Sequence, residues 1–141
     1  MKMKKIEFKK PIYTYEIDAS QHASNIAYIQ WMEICRLKLL DEVGLPIHEV
    51  IANGFAPVLI RTEINYKNPL YIGDEVTVVM WLSELRGVSV KMNFQFYNQH
   101  NDLVATGEQG GLFISLETKR PTKLSAQDRS RFEPYLADVS I

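Results

Sequence analysis

The segment from Asn25 to Val43 constrains this chain more than any other. It reads NIAYIQWMEICRLKLLDEV, and winding it at about 3.6 residues per turn spreads apolar side chains over almost every side. Such a helix demands cover from more than one direction. Gly44 and Pro46 supply a stop signal just beyond it. The helix also carries Glu33, Arg36, Lys38, Asp41 and Glu42, which a bilayer-spanning helix would not tolerate.

The rest of the chain reads as strands. Ile6 to Ile17 predicts an extended strand with a break near Pro11. Ile47 to Asn53 is a short connector with room for one helical turn. Val58, Ile60, Thr62, Ile64 and Tyr66 share one face of a second strand, with Arg61, Glu63, Asn65 and Lys67 on the other. Asn68-Pro69 and Gly73-Asp74 mark a turn, and Glu75 to Leu85 is a Val-rich strand. After Arg86-Gly87, Val88, Val90, Met92, Phe94 and Phe96 alternate strictly with polar residues and Tyr97. Leu103 to Leu116 is the last strand, and Ser125 to Tyr135 predicts a short terminal helix.

Four strands in hairpin-like succession imply an antiparallel sheet, and the apolar helix is the cover available for one of its faces. The expected fold is therefore α+β, a sheet wrapped around one long central helix in a single domain over residues 1–141. The helix is too apolar for one sheet face alone, so a partner subunit is expected to bury part of it.

Composition narrows the function classes. The 141 residues are 46% hydrophobic and 23% charged, with a net charge of -1, so no basic excess points to nucleic acid. The single Cys35 rules out an internal disulfide, and its apolar surroundings mark it as a core residue rather than a nucleophile. The lysines of MKMKKIEFKK precede no apolar run, so no signal peptide is read there; a soluble, cytoplasmic protein is expected. His22, His48 and His100 lack metal-ligand spacing, and no glycine-rich phosphate loop is present. No metal and no cofactor are expected.

The chemistry-bearing residues gather just before the helix. Asp18 either opens an Asx-turn or faces a carbonyl held at the helix start, as nucleophile or general base. His22 is a satisfied loop side chain or a group that polarises substrate or positions water. Asn25 suits the helix N-cap, and the first-turn N–H groups beyond a cap can bind a developing oxyanion. Tyr28 is core or a substrate contact. Glu33 lies in an apolar run, where burial would call for Arg36 as ion-pair partner; a catalytic or substrate-orienting acid is the other reading.

The ordered set Asp18, His22, Asn25, Tyr28, Trp31-Met32-Glu33 and Arg36 resembles the hotdog-fold acyl-CoA thioesterases of the 4-hydroxybenzoyl-CoA thioesterase type. Arg61-Thr62-Glu63-Ile64-Asn65-Tyr66, Gly73-Asp74, Gly87-Val88-Ser89, Gly107 to Leu116 and Arg120-Pro121 extend the similarity over nearly the whole chain. Gln21 departs from it, standing where the family usually has Gly, and Ala23-Ser24 replace a commoner Val-Asn.

The resemblance implies hydrolysis of an acyl-CoA thioester to free acid and coenzyme A, with coenzyme A present only as part of the substrate. It implies Asp18 as nucleophile or base, with His22, Asn25 and Glu33 in the catalytic set. Tyr28, Arg86, Lys91, Lys119 and Arg120 are the substrate-binding candidates, the four basic residues for the nucleotide end. It implies a site between subunits of a homodimer or dimer-of-dimers tetramer, with no nucleic-acid or membrane partner. The expectation is geometric: the Asp18 carboxylate points into a shared cleft at the helix's amino end. A non-catalytic acyl-thioester binder is the alternative reading, kept open by Gln21. A hotdog hydratase or dehydratase fits less well, because that branch usually spaces Asp and His by five residues.

Overall fold

A computed structural model describes residues 2–137. β1 (Ile6–Pro11) leads to a 3-10 turn (Thr14–Glu16), then α1 (Asn25–Glu42) and a short α2 (Ile47–Ala52). Four strands follow: β2 (Phe55–Tyr66), β3 (Glu75–Arg86), β4 (Ser89–Tyr97) and β5 (Leu103–Ser115). A short α3 (Ala126–Phe132) runs into a second 3-10 turn (Glu133–Tyr135). The strands form one antiparallel sheet in the order β1-β3-β4-β5-β2.

The first expected strand is shorter than read. It stops at Pro11, and Tyr13 to Glu16 turns instead of extending. The Glu16 carboxylate accepts the Tyr13 N–H at 2.7 Å, closing a local turn that competes with the ladder. Asp18 therefore lies in a turned loop, not at a strand end, and Ile17 makes only an isolated bridge to Ala23. β2 starts earlier than expected, through Pro57, because an edge strand tolerates a residue with no N–H to donate.

The core forms between one side of α1 and the sheet. Tyr28, Trp31, Met32, Cys35 and Leu39 pack on Val76, Val78, Met80, Leu82, Phe94 and Phe96. Gly107 lets α1 come close: a Cβ there would stand 2.6 Å from Met32 Cε. The sheet does not wrap the helix completely. Ile26 is 68% exposed, and Ile29, Ile34 and Leu37 are also exposed, so one side of α1 lacks cover within the chain. β2 is an open edge of 12 residues on which Phe55, Leu59, Ile60 and Tyr66 are exposed. Among the described residues no helix is long and apolar enough to cross a membrane.

Candidate active site

The loop between Glu16 and α1 is a clasped turn. Ser24 N–H donates to the Glu16 carbonyl at 2.8 Å and Asp18 N–H to the His22 carbonyl at 2.9 Å. Gln21 N–H donates to the Asp18 carbonyl at 3.0 Å, and Ala23 N–H to the Leu70 carbonyl at 2.8 Å. Closing so tight a turn puts Gln21 at φ 71, the left-handed region where Gly is at ease. Gln21 thus takes a conformation that suits Gly better than a residue with a side chain.

Asp18 is exposed, and its Oδ1 accepts from Ser20 N–H at 2.8 Å and Ser20 Oγ–H at 2.5 Å. Those two bonds hold the carboxyl below its ordinary value of 3.8, with smaller help from His22, so it is ionised at neutral pH. The Asx-turn role is therefore present; both Ser20 bonds fall on Oδ1, and the His22 N–H adds a weaker contact to the carboxyl. His22 is half-buried with its ring edge-on to Tyr71 at 5.1 Å.

The N-cap is Ser24, not Asn25. Ser24 Oγ accepts the Ala27 N–H at 3.2 Å, while Asn25 is the exposed first residue of the helix. Ser24 sits in extended backbone with its hydroxyl aimed back at the first turn, the geometry a cap requires. Among the described residues the N–H groups of Asn25 and Ile26 meet no acceptor, so two donors remain at the positive end of α1.

The expected Glu33–Arg36 ion pair does not form. Glu33 lies exposed on the side of α1 that also carries Ile29, Ile34 and Leu37, while Trp31, Met32 and Cys35 take the buried side, and it borders the cavity described below. Arg36 turns inward, where its Nη1 donates to Gln109 Oε1 at 2.7 Å and Gln109 Nε2 donates to Thr62 Oγ1 at 3.2 Å. Burial lowers the Arg36 guanidinium, opposed by the Glu33 charge nearby. Tyr28 is buried in an aromatic cluster with Trp31, Tyr66 and Phe96, ring centroids 4.9–5.1 Å away, and burial raises its hydroxyl. Its side chain offers no surface to a substrate within the chain. Burial pushes the Cys35 thiol up to about 12, as suits a core residue.

A different buried acid was missed. Glu16 is 4% exposed and bonded to Trp31 Nε1–H at 2.8 Å. The signal for it was Trp31 itself: a tryptophan in an apolar helix needs an acceptor for its indole N–H.

The basic candidates stand apart from Asp18. Arg86 ends β3, Lys91 lies on β4 opposite Glu84, and Lys119 and Arg120 occupy the turn after β5; all four are exposed. β3 begins beside the Asp18 loop, where Ile12 N–H donates to the Asp74 carbonyl, and ends at Arg86. At about 3.3 Å per residue the strand separates the two groups by roughly 35 Å. A cavity of about 600 Å³ lies at the Arg86 end, between the later turns of α1, α2, the β3–β4 hairpin and α3. Arg36, Leu40, Val58, Met80, Val90 and Phe132 are among its walls, and no residue of the Asp18 loop is. The expected cleft at Asp18 is therefore not closed within one chain. Among the described residues no three His, Cys, Asp or Glu side chains are grouped to hold a metal.

Comparison with known proteins agrees with this architecture. The chain is 25% identical over 120 residues to the Escherichia coli protein named long-chain acyl-CoA thioesterase FadM, covering 84% of this chain and 90% of that one. A Staphylococcus aureus DHNA-CoA thioesterase structure superposes with a TM-score of 0.84 at 19% identity, covering 93% and 88% of the two chains. A second Staphylococcus aureus protein, solved in complex with CoA, superposes at 0.86 with 14% identity, covering 100% and 91%. The model of the thioesterase-like superfamily matches residues 12–132, most of the chain, including the Asp18 loop, α1 and all of β2 to β5. The chain belongs to the thioesterase-like superfamily.

Proposed function

We propose that the protein hydrolyses acyl-CoA thioesters to free carboxylic acid and coenzyme A, using sites shared between two copies of the chain. The observation that carries this reading is an ionised, exposed Asp18 on the loop leading into α1, whose Asn25 and Ile26 N–H groups are unfilled, in a chain of this family. A thioester carbonyl oxygen set against those N–H groups gains donors as negative charge builds on it. Asp18 then serves in one of two ways. As general base it takes a proton from water, the hydroxide adds to the carbonyl carbon, the C–S bond breaks, and the thiolate recovers the proton. As nucleophile it adds through a carboxylate oxygen, expels the thiolate and leaves a mixed anhydride that water hydrolyses. No step calls for a metal or resident cofactor. His22 orients the loop through its carbonyl, and its ring borders the same opening. Glu33 lies roughly 12 Å along the helix from Asn25, too far to touch the same carbonyl from its own subunit. A role for it lies in orienting the remainder of the substrate.

Two features support the second copy: the uncovered side of α1 and the open apolar edge of β2. Pairing two β2 edges antiparallel about a two-fold axis inverts the partner. Its Phe55 end then lies beside the Tyr66 end of the first chain. That brings the partner's basic end and cavity to the Asp18 loop, with Arg86, Lys91, Lys119 and Arg120 placed for the phosphates and the cavity for the acyl group. Two such dimers joined through their outer sheet faces make a tetramer. A cytoplasmic setting, where acyl-CoA is made and used, fits this activity.

The non-catalytic reading rests on Gln21, whose backbone adopts a left-handed conformation open to Gly, which supports a loop of the same kind. Thiol release from a panel of acyl-CoA substrates tests the proposal. We expect turnover by the natural chain and loss of it in Asp18→Asn; a chain that binds acyl-CoA without releasing thiol is a binder, and the proposal fails.

A further inference from the structure

Glu16 is the one buried acid among the described residues. A carboxylate taken out of water is costly unless its oxygens are fully engaged. Its partners come from three elements. Lys10 Nζ on β1 donates to Oε1 at 2.5 Å, Tyr13 N–H donates to the same oxygen at 2.7 Å, and Trp31 Nε1–H on α1 donates to Oε2 at 2.8 Å. The Lys10 ammonium also lies over the Tyr13 and Trp31 rings, 4.4 and 5.4 Å from their centroids. The side chain thus locks the sheet edge, the 3-10 turn and the second turn of α1 to one another.

The main chain of the same residue grips the other side of the loop. Its carbonyl accepts the N–H of Ser24, the residue that caps α1. Asp18 lies two residues beyond Glu16, inside the turn that this bond closes. Two things have to be aligned for hydrolysis: the Asp18 carboxylate and the open N–H groups of Asn25 and Ile26. Glu16 holds the stem of one and, through Ser24 and Trp31, the start of the other.

We propose that Glu16 is a positioning residue that sets Asp18 against the first turn of α1, without touching substrate. This rests on the reading of Asp18 given above. A plain stabilising ion pair would have the same bonds but different kinetics. Residues that act through one catalytic group are strongly non-additive, whereas independent contributions multiply.

The test is a double-mutant cycle in acyl-CoA hydrolysis on the full chain: natural, Glu16→Gln, Asp18→Asn and both together. Glu16→Gln keeps the shape, removes the charge that holds Lys10, and turns an amide donor toward groups that are themselves donors. A displaced carboxylate costs on the order of 10²-fold in kcat. We expect that loss with KM changed by less than about twofold, and less than about threefold further loss once Asp18 is already Asn. Glu16→Asp, which keeps the charge at a shorter reach, is expected to recover part of kcat. The proposal is overturned by natural kcat in folded Glu16→Gln, by a loss confined to KM, or by an equal fold-loss on the Asp18→Asn background. Should Glu16→Gln fail to fold, Lys10→Met removes the charged donor to Glu16 while keeping the length of the side chain, and the same three outcomes decide there. Unimpaired Asp18→Asn would instead sink the reading of Asp18, which separates the two failures.

Discussion

At the residue scale, Gln21 shows how a sequence departure becomes a backbone cost. Its φ of 71 places a side chain where L-residues crowd their own carbonyl. Gln21→Gly is expected to raise stability by about 0.5 kcal/mol, the steric relief exceeding the added chain entropy. Gln21→Val is expected to lower it by roughly 1–2 kcal/mol, because a β-branched residue is worst at positive φ. Urea unfolding of the two variants checks both signs, and a Gly variant less stable than the Val one would contradict the strained turn. Glu16 gives a pH signature. Burial acts to raise its carboxyl, but hydrogen bonds from Lys10, Tyr13 and Trp31 outweigh it and hold it below 4.5. A folded value below the unfolded one means its stabilisation is complete above pH 4.5 and disappears as pH falls through the folded value. The stability gap between the natural chain and Glu16→Gln should therefore be constant from pH 7 to 5 and narrow below that. A gap that widens on acidification would show that the carboxyl is raised instead.

Elements show where local pattern suffices and where it does not. The strict alternation from Val88 to Tyr97 marks β4, and the run from Asn25 with its Gly44 stop marks α1 to within a residue. Both are set by periodicity and punctuation that neighbours in sequence carry. The first strand was overread because its end is decided by a side chain bond, Tyr13 N–H to Glu16, which alternation does not encode. The cap fell on Ser24 rather than Asn25 because both residues cap well and only loop closure at Glu16 chooses between them. The Glu33–Arg36 pairing failed for a tertiary reason: Gln109, far along the chain, offers the Arg36 guanidinium a buried acceptor. The approach of α1 to β5 carries its own prediction. Gly107→Ala makes only the flexible terminal methyl of Met32 shift, the other neighbours standing at ordinary contact distance, and is expected to cost less than about 1 kcal/mol. Thermal unfolding reads this, and Met32→Leu combined with Gly107→Ala should recover part of the loss.

At the scale of the whole molecule, the chain looks unfinished by itself. Its acid loop and its basic end stand at opposite ends of the sheet, one side of α1 is uncovered, and β2 offers an open edge. None of this separation was legible from the order of residues along the chain, since it depends on which end of each strand a residue occupies. The motif residues were legible; the distances between them were not. If β2 carries the assembly, Ile60→Lys puts a charge on a side chain that is 66% exposed at the open edge of the single chain but at the seam of the dimer. Light scattering should then show a shift toward monomer, with activity falling in parallel; an unchanged assembly would move the interface elsewhere. The central claim, a thioesterase site built from two chains, is tested most directly by mixing inactive parents. Asp18→Asn and the double variant Arg86→Glu/Arg120→Glu are each expected to lose most thiol release from acyl-CoA. Unfolded and refolded together at equal amounts, half the dimers are mixed, and each mixed dimer regains one intact site. The account predicts recovery to about a quarter of natural activity. Activity no higher than the average of the two parents would contradict it.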